Sequence, residues 1–331
     1  MKTFAAYYDN EIRKDSSSGG IFSLLAQQFD VVYGVAMTED CYGAEFIRVG
    51  NDITPLLGSK YFQAKLGDTF KQVKQDLESG RKILFSGTGC QINGLRMFLK
   101  KDYPNLFALD VICHGVPSPK LWRKYAEYQE SKHGKLKKVN FRCKDDSWKN
   151  FGMKENQLYI PKDKDPFMKM FLRNYCLRPA CYECHAKSYK KSDMTIADFW
   201  GIESVAPEID DGMGISLVIT RTEKGQNVFD KIKAELKWKE VSYEDGVRRN
   251  PSECTSAIRP TERDTFFDDL SSISFKKMEK KYAKDRKQSF LKKAVQKAKQ
   301  LVKKVVKKST QKKKSNADYG MLFTFYQGKK K

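Results

Sequence analysis

Short apolar runs and helix-spaced apolar positions alternate through most of this chain. Val31–Met37 and Ala44–Val49 have the length and β-branched content of strands. Between Thr69 and Glu78, residues Phe70, Val73 and Leu77 fall on one helical face, and Gly80 closes the segment. A strand follows at Lys82–Phe85, a helix at Gln91–Lys100 and a strand at Leu106–Ile112. The next helix, Pro119–Lys132, starts on a proline, which suits a first helical turn. This rhythm predicts an α/β fold, a mixed sheet with flanking helices in one domain. Residues 137–160 read as a hairpin around Asp145-Asp146-Ser147, and Pro166–Asn174 as a short helix. Asp193–Gly201 and Gly214–Thr220 read as strands, and Glu223–Leu236 as a helix.

From about residue 258 the pattern changes. A narrow apolar stripe at helical spacing, from Phe290 and Leu291 to Val305 and Val306, faces almost continuous lysine. The predicted organisation is one domain over residues 1–257 and a lysine-rich helical tail over 258–331, a C-terminal basic amphipathic helix with a partly disordered end.

Charge sharpens this division. The chain holds 63 Lys and Arg against 41 Asp and Glu, net +22. Residues 276–331 account for 21 and 3 of these, which leaves 42 and 38 for residues 1–275. The body is nearly neutral, and any acidic partner belongs to the tail. A lysine-faced amphipathic helix suits an anionic membrane surface, with residues 286–326 as the contact. Nucleic acid is disfavoured, because the tail lacks interleaved aromatics and is poor in arginine. The plain alternative is a helix packed on the body by its stripe. No run of about 18 apolar residues occurs, and the start lacks the apolar core of a signal peptide. The expected location is cytoplasmic, peripheral on the inner face of the membrane if the tail binds there.

Eight cysteines in a reducing compartment read as thiols or metal ligands rather than as bridges. Cys90 follows the run Ile83-Leu84-Phe85 within Ser86-Gly87-Thr88-Gly89-Cys90-Gln91, and Cys113 follows Leu109–Ile112 within Cys113-His114-Gly115. Both lie at carboxyl ends of predicted strands, where open α/β sheets place ligands. Cys181 and Cys184 form a C-x-x-C, a spacing that zinc and iron–sulfur sites share. Cys176 adds a ferredoxin-like C-x4-C-x2-C spacing, although Cys176 and Cys143 also read as small buried apolar residues. Ser16-Ser17-Ser18-Gly19-Gly20 before Ile21–Leu25, and Gly87-Thr88-Gly89 before the next helix, leave backbone N–H groups free for a phosphate or for ordinary capping.

These segments, taken in order with Gly58-Ser59-Lys60-Tyr61, Cys113–Ser118 and Ser192–Gly201, resemble the beta-subunit family of coenzyme F420 (deazaflavin) hydrogenases and dehydrogenases. Within it they are most similar to the bacterial branch found among polysaccharide-synthesis genes. The resemblance covers roughly residues 1–255. It implies an oxidoreductase that carries FAD, with FMN as the alternative, and one 4Fe-4S cluster. It assigns Cys90, Cys113, Cys181 and Cys184 as cluster ligands and sets aside Cys176. It places Ser17, Ser18, Gly19, Gly20, Ser59, Lys60, Thr88, Trp148 and Lys149 at the flavin. Lys60 and Asp198 are the residues expected to act in the chemistry, Lys60 by neutralising a phosphate or the reduced flavin.

Two departures from the family pattern bear on partners. The chain opens directly on the strand of the flavin domain, without the N-terminal ferredoxin module of many relatives, so a separate ferredoxin or redox partner is expected. Gly89 stands where the family usually has proline, which loosens the turn holding Cys90. Nothing in the sequence identifies a deazaflavin pocket, and use of that coenzyme is not expected. Two other readings stay open: a structural zinc protein, and a non-catalytic scaffold recruited to membranes.

Overall fold

The structure is a computed structural model that describes residues 1–285. Strand β1 (Lys2–Tyr8) leads to the short helix α1 (Ile21–Ala26) and to an antiparallel pair, β2 (Val31–Met37) and β3 (Ala44–Val49). Then come α2 (Thr69–Glu78), β4 (Ile83–Thr88), α3 (Gly89–Leu99), β5 (Leu106–Val111) and α4 (Pro119–His133). Three short strands follow, β6 (Val139–Cys143), β7 (Gly152–Glu155) and β8 (Leu158–Pro161), then α5 (Pro166–Leu172) and β9 (Met194–Asp198). The body closes with β10 (Ser216–Thr220), α6 (Glu223–Ile232), β11 (Leu236–Val241), α7 (Tyr243–Val247), α8 (Arg263–Ser272) and α9 (Phe275–Met278).

The expected mixed α/β architecture is present. Eight strands form one sheet in the order β11-β1-β10-β9-β5-β4-β2-β3, and β6-β7-β8 form a second, small antiparallel sheet. Strands β2, β4, β5 and β9 run parallel. Strand β10 is antiparallel to both β9 and β1, so β1 points the same way as the parallel group. The carboxyl ends of β1, β9, β5 and β4 therefore share one sheet edge. Helices on both faces explain why Ile83, Leu84 and Phe85 form an unbroken, fully buried run. Ile92, Leu95 and Leu99 of α3 bury against that same layer.

Three local expectations change. The predicted hairpin over 137–160 is a three-stranded sheet, because the segment from Phe151 to Ile160 breaks between β7 and β8. Asn156 takes φ 52° there, and its carboxamide oxygen accepts from the backbone of Lys137 and Lys138. Asparagine tolerates this left-handed turn far better than a branched residue would. The helix predicted to Leu236 ends at Ile232, and Leu236–Val241 becomes an edge strand on β1. Trp238 gains the rings of Phe4 and Phe229 by that pairing.

The third change is the domain boundary. One compact unit runs from Met1 to Ala283 rather than stopping at 257. Phe266, Leu270, Phe275, Met278 and Tyr282 are buried in the aromatic core around Trp122 and Phe167. The lysine-faced stripe and the contact proposed over 286–326 lie outside the described residues. Among the described residues, no helix is long and apolar enough to cross a membrane.

Candidate metal centre and adjoining cleft

Cys90 and Cys113 reach the sheet edge for a simple reason. Strands β4 and β5 pair in parallel from Ile83↔Leu106 to Thr88↔Val111, so the residues that follow each strand emerge side by side. Thr88 then caps α3: its backbone N–H donates to Gln91 Oε1 at 2.8 Å, closing a capping box. Cys90 sits in the first turn of α3, exposed, with Thr88 Oγ1 3.2 Å from its sulfur. Gly115, two residues past Cys113, has φ +150°, and a Cβ there would stand 2.7 Å from Leu177. Gly89 has little room for a side chain, with Asp110 Oδ2 3.2 Å and Ala186 3.3 Å from an added Cβ.

The C-x-x-C segment meets these two thiols from across the chain. Cys181 accepts from the Val116 N–H at 3.4 Å, and the Cys184 N–H donates to Ser256 Oγ at 2.9 Å. The Lys187 ammonium donates to the carbonyls of Cys113 and Ser252, tying the two cysteine loops together. All four predicted thiols line one cavity, with Thr88, Asp110, His114 and Lys187 in its wall. Burial pushes the Cys113 thiol up to about 12, with Lys187 acting in the opposite sense and Cys181 and Cys90 adding to the rise. Burial raises Cys181 as well, with Cys90 and Cys184 contributing. Cys176 is fully buried in the aromatic core, away from this cavity.

The donor set, four thiols on one cavity, suits a thiophilic metal. Among the described residues, no three His, Cys, Asp or Glu groups converge closely enough to hold one ion.

The other predicted residues divide. Ser17 and Ser59 meet, hydroxyl to hydroxyl at 2.9 Å, although 42 positions separate them. Lys60 turns its ammonium onto the carbonyls of Leu57 (2.8 Å) and Pro55 (3.1 Å), and burial lowers it to about 8. Asp198, at the end of β9, pairs with Arg142 at 3.1 Å. Burial raises Asp198, opposed by Arg142, by Ser18 and by the nearby Lys144 and Lys162. Lys144 donates to the carbonyls of Arg13 (2.6 Å) and Ser18 (3.2 Å), and burial with the neighbouring Arg13 and Arg142 lowers it to about 8. Trp148 stacks on Trp200 at 5.4 Å, and its buried indole N–H has no acceptor among the described residues.

The remaining predicted residues make contacts within the body. Ser18 donates to the Ile215 carbonyl at 2.7 Å, and Gly19 passes so close to β1 that a Cβ would lie 2.6 Å from the Ala6 carbonyl. Gly20 takes φ 77° ahead of α1. Thr88 belongs to the thiol cavity, and Lys149 pairs with Asp210 (2.7 Å) and Glu203 (3.3 Å).

Sequence reasoning missed Asp110, His114 and Lys187 in the cavity wall, and Arg142, Lys144 and Lys162 around Asp198. The surplus of these cations over the single Asp198, with the orphaned Trp148 N–H, fits a ligand that carries phosphate and ring acceptors.

Comparison with known proteins places the thiol cavity in context. The family model that describes the C terminus of the coenzyme F420 hydrogenase/dehydrogenase beta subunit matches residues 80–245, which include all four cavity cysteines. Among solved structures, the fold is similar to a chain reported under "Xenon derivatization of the F420-reducing [NiFe] hydrogenase complex from Methanosarcina barkeri". That similarity has a TM-score of 0.53 at 16% identity and covers 81% of this chain and 91% of that one. No curated protein matches the chain.

Proposed function

The chain belongs to the coenzyme F420 hydrogenase/dehydrogenase beta-subunit family, and from that premise we propose that it is an electron-transfer oxidoreductase holding one 4Fe-4S cluster and one flavin, FAD by preference. The observation that carries this reading is the convergence of Cys90, Cys113, Cys181 and Cys184 on one cavity from three separate parts of the chain. When bound, these groups supply electron exchange in ones and in twos.

The chain's own residues would do the following. The four cysteines would hold the cluster as thiolates, their protons passing to water, and for the buried Cys113 the Lys187 ammonium favours that charged form. Ser17 and Ser59 orient the flavin by hydrogen bonds, and Lys60, Arg142 and Lys144 offset its phosphate charge. Trp148 offers its indole N–H to a ring acceptor. Asp198 keeps Arg142 in place and limits the local positive charge. Electrons would come from a separate redox protein, and the acceptor would be an intermediate of surface-polysaccharide synthesis.

The rival reading is a structural zinc site. Four thiolates would also suit zinc, which brings no redox chemistry of its own. An absorption spectrum of anaerobically purified protein, before and after dithionite, beside Cys184→Ser decides between them. The expected result is flavin bands plus a broad iron–sulfur shoulder that bleaches on reduction and is missing from the variant. A colourless protein with one bound zinc would sink the redox reading.

A further inference from the structure

The chain after α7 lies beyond residues 80–245, the stretch that the family model matches, yet it meets the C-x-x-C loop three times. The Cys184 N–H donates to Ser256 Oγ at 2.9 Å, the Lys187 ammonium donates to the Ser252 carbonyl, and the Lys190 ammonium pairs with Glu253 at 2.5 Å. These contacts join positions 63 to 72 residues apart. The short turn Pro251–Glu253 presents two of the three partners.

Glu253 decides where one of those lysines goes. Its side chain is 1% exposed and pairs with Lys190 and Arg221 together. An ammonium as buried as that of Lys190, 10% exposed, needs such a partner, because burial penalises an uncompensated charge. Arg221 is fixed in turn by Thr195, to whose Oγ1 it donates at 2.5 Å. Besides the thiols, Lys187, Lys190, Asp110 and His114 are the ionisable side chains that line the cavity among the described residues. Asp110 is buried and accepts from Thr195. The wall therefore sets two ammonium groups against one carboxylate, and residues 252–253 hold both ammonium groups.

We propose that residues 252–256 form an anchor that holds the C-x-x-C loop on the cavity and keeps Lys190 in its wall, where the ammonium raises the reduction potential of the thiol-held centre. The inference rests on the redox reading above and adds what sets the potential. Lys190 acts by charge. Reduction adds negative charge at the thiols, and a positive charge in the wall favours it, poorly screened because it is buried. Ser256 acts through the backbone of Cys184, as a hydrogen-bonded support of a ligand residue. Glu253 is a positioning residue that works through Lys190.

The test compares full-length wild type, Lys190→Gln, Lys190→Arg and Ser256→Ala, all purified without oxygen. Glutamine at 190 can still donate to Glu253, which also keeps Arg221, so the fold should hold, as thermal melting checks. One readout is the midpoint potential from a dithionite titration, followed by the electron paramagnetic resonance of the reduced centre. The other is the rate of iron release to bathophenanthroline disulfonate. The expected result is a more negative potential in Lys190→Gln, restored in Lys190→Arg, and iron release at least about tenfold faster in Ser256→Ala. An unchanged potential in Lys190→Gln, or an equal fall in Lys190→Arg, overturns the role of charge. Release from Ser256→Ala at the wild-type rate overturns the anchor. A protein with no reducible chromophore overturns the redox reading itself, and release of bound zinc to pyridylazoresorcinol then decides the anchor by the same comparison.

Discussion

Individual side chains show how much of the chemistry depends on burial. Tyr125, on α4, has its hydroxyl 2.5 Å from Glu155 Oε1 and 2.6 Å from Asp165 Oδ2. One hydroxyl proton serves only one carboxylate, so the other acid must bring its own. Gln129 donates to Glu155 at 2.8 Å and the Met168 N–H to Asp165 at 2.7 Å, and neither brings a charge. Burial raises Asp165 to about 7 and Glu155 above its usual range. The folded state thus keeps a proton that the unfolded chain gives up above about pH 4. This contribution is complete below about pH 4 and is lost as pH rises through about 7, worth about 4 kcal/mol at roughly 1.4 kcal/mol per unit. Thermal melting from pH 5 to 8 should show a steeper fall for wild type than for Asp165→Asn, whose carboxamide can still accept from Met168. Parallel curves would rule the shared proton out. The same dependence on surroundings separates the cysteines. Cys181 shares its C-x-x-C with Cys184 and opens on the cavity, whereas Cys176, five residues earlier, is fully buried in the aromatic core.

At the scale of elements, the parallel pairing of β4 and β5 matters most, because it brings the residues after each strand, Cys90 and Cys113, out side by side. Both strands, α3 and its cap were legible from apolar spacing and from Thr88 with Gln91. Strand β11 was not, since its outer positions Lys237, Lys239 and Glu240 carry an edge strand's charges and continue the helical composition before them. Helices α8 and α9 were read as part of the tail because the pattern changes near residue 258 and the lysine pairs begin at Lys276 and Lys277. Their few apolar side chains are nevertheless buried, and a truncation pair makes this measurable. A chain ending at 285 should melt like the full-length protein. One ending at 257 exposes the pocket left by Phe266, Leu270, Phe275, Met278 and Tyr282. At about 1.5–3 kcal/mol for each, the loss rivals the whole stability of a domain, about 5–15 kcal/mol. That shorter chain should be unfolded or insoluble, and a cooperative transition near the full-length midpoint would place the boundary back at 257.

For the whole molecule, charge is divided unevenly along the sequence. Residues 286–331 hold 16 Lys and Arg against a single Asp. We propose that this segment recruits the protein to anionic lipid. Sedimentation with phosphatidylserine-containing vesicles should be strong at low salt, fall steeply toward 0.5 M, roughly a fourfold-to-fivefold shorter screening length than at 0.02 M, and vanish for a chain ending at 285. Retention by that truncated chain would assign membrane binding to the body. The sequence alone determined the α/β rhythm, the identity of the four candidate thiols, the concentration of charge in the tail and the resemblance to a redox family, because each is written in local spacing, order or composition. Only the tertiary structure decided that those thiols share one cavity, that Arg142, Lys144 and Lys162 surround Asp198, and that residues 258–283 complete the core. Those outcomes depend on pairings between positions tens to hundreds of residues apart, and burial and electrostatic fit arise only when such positions are brought together.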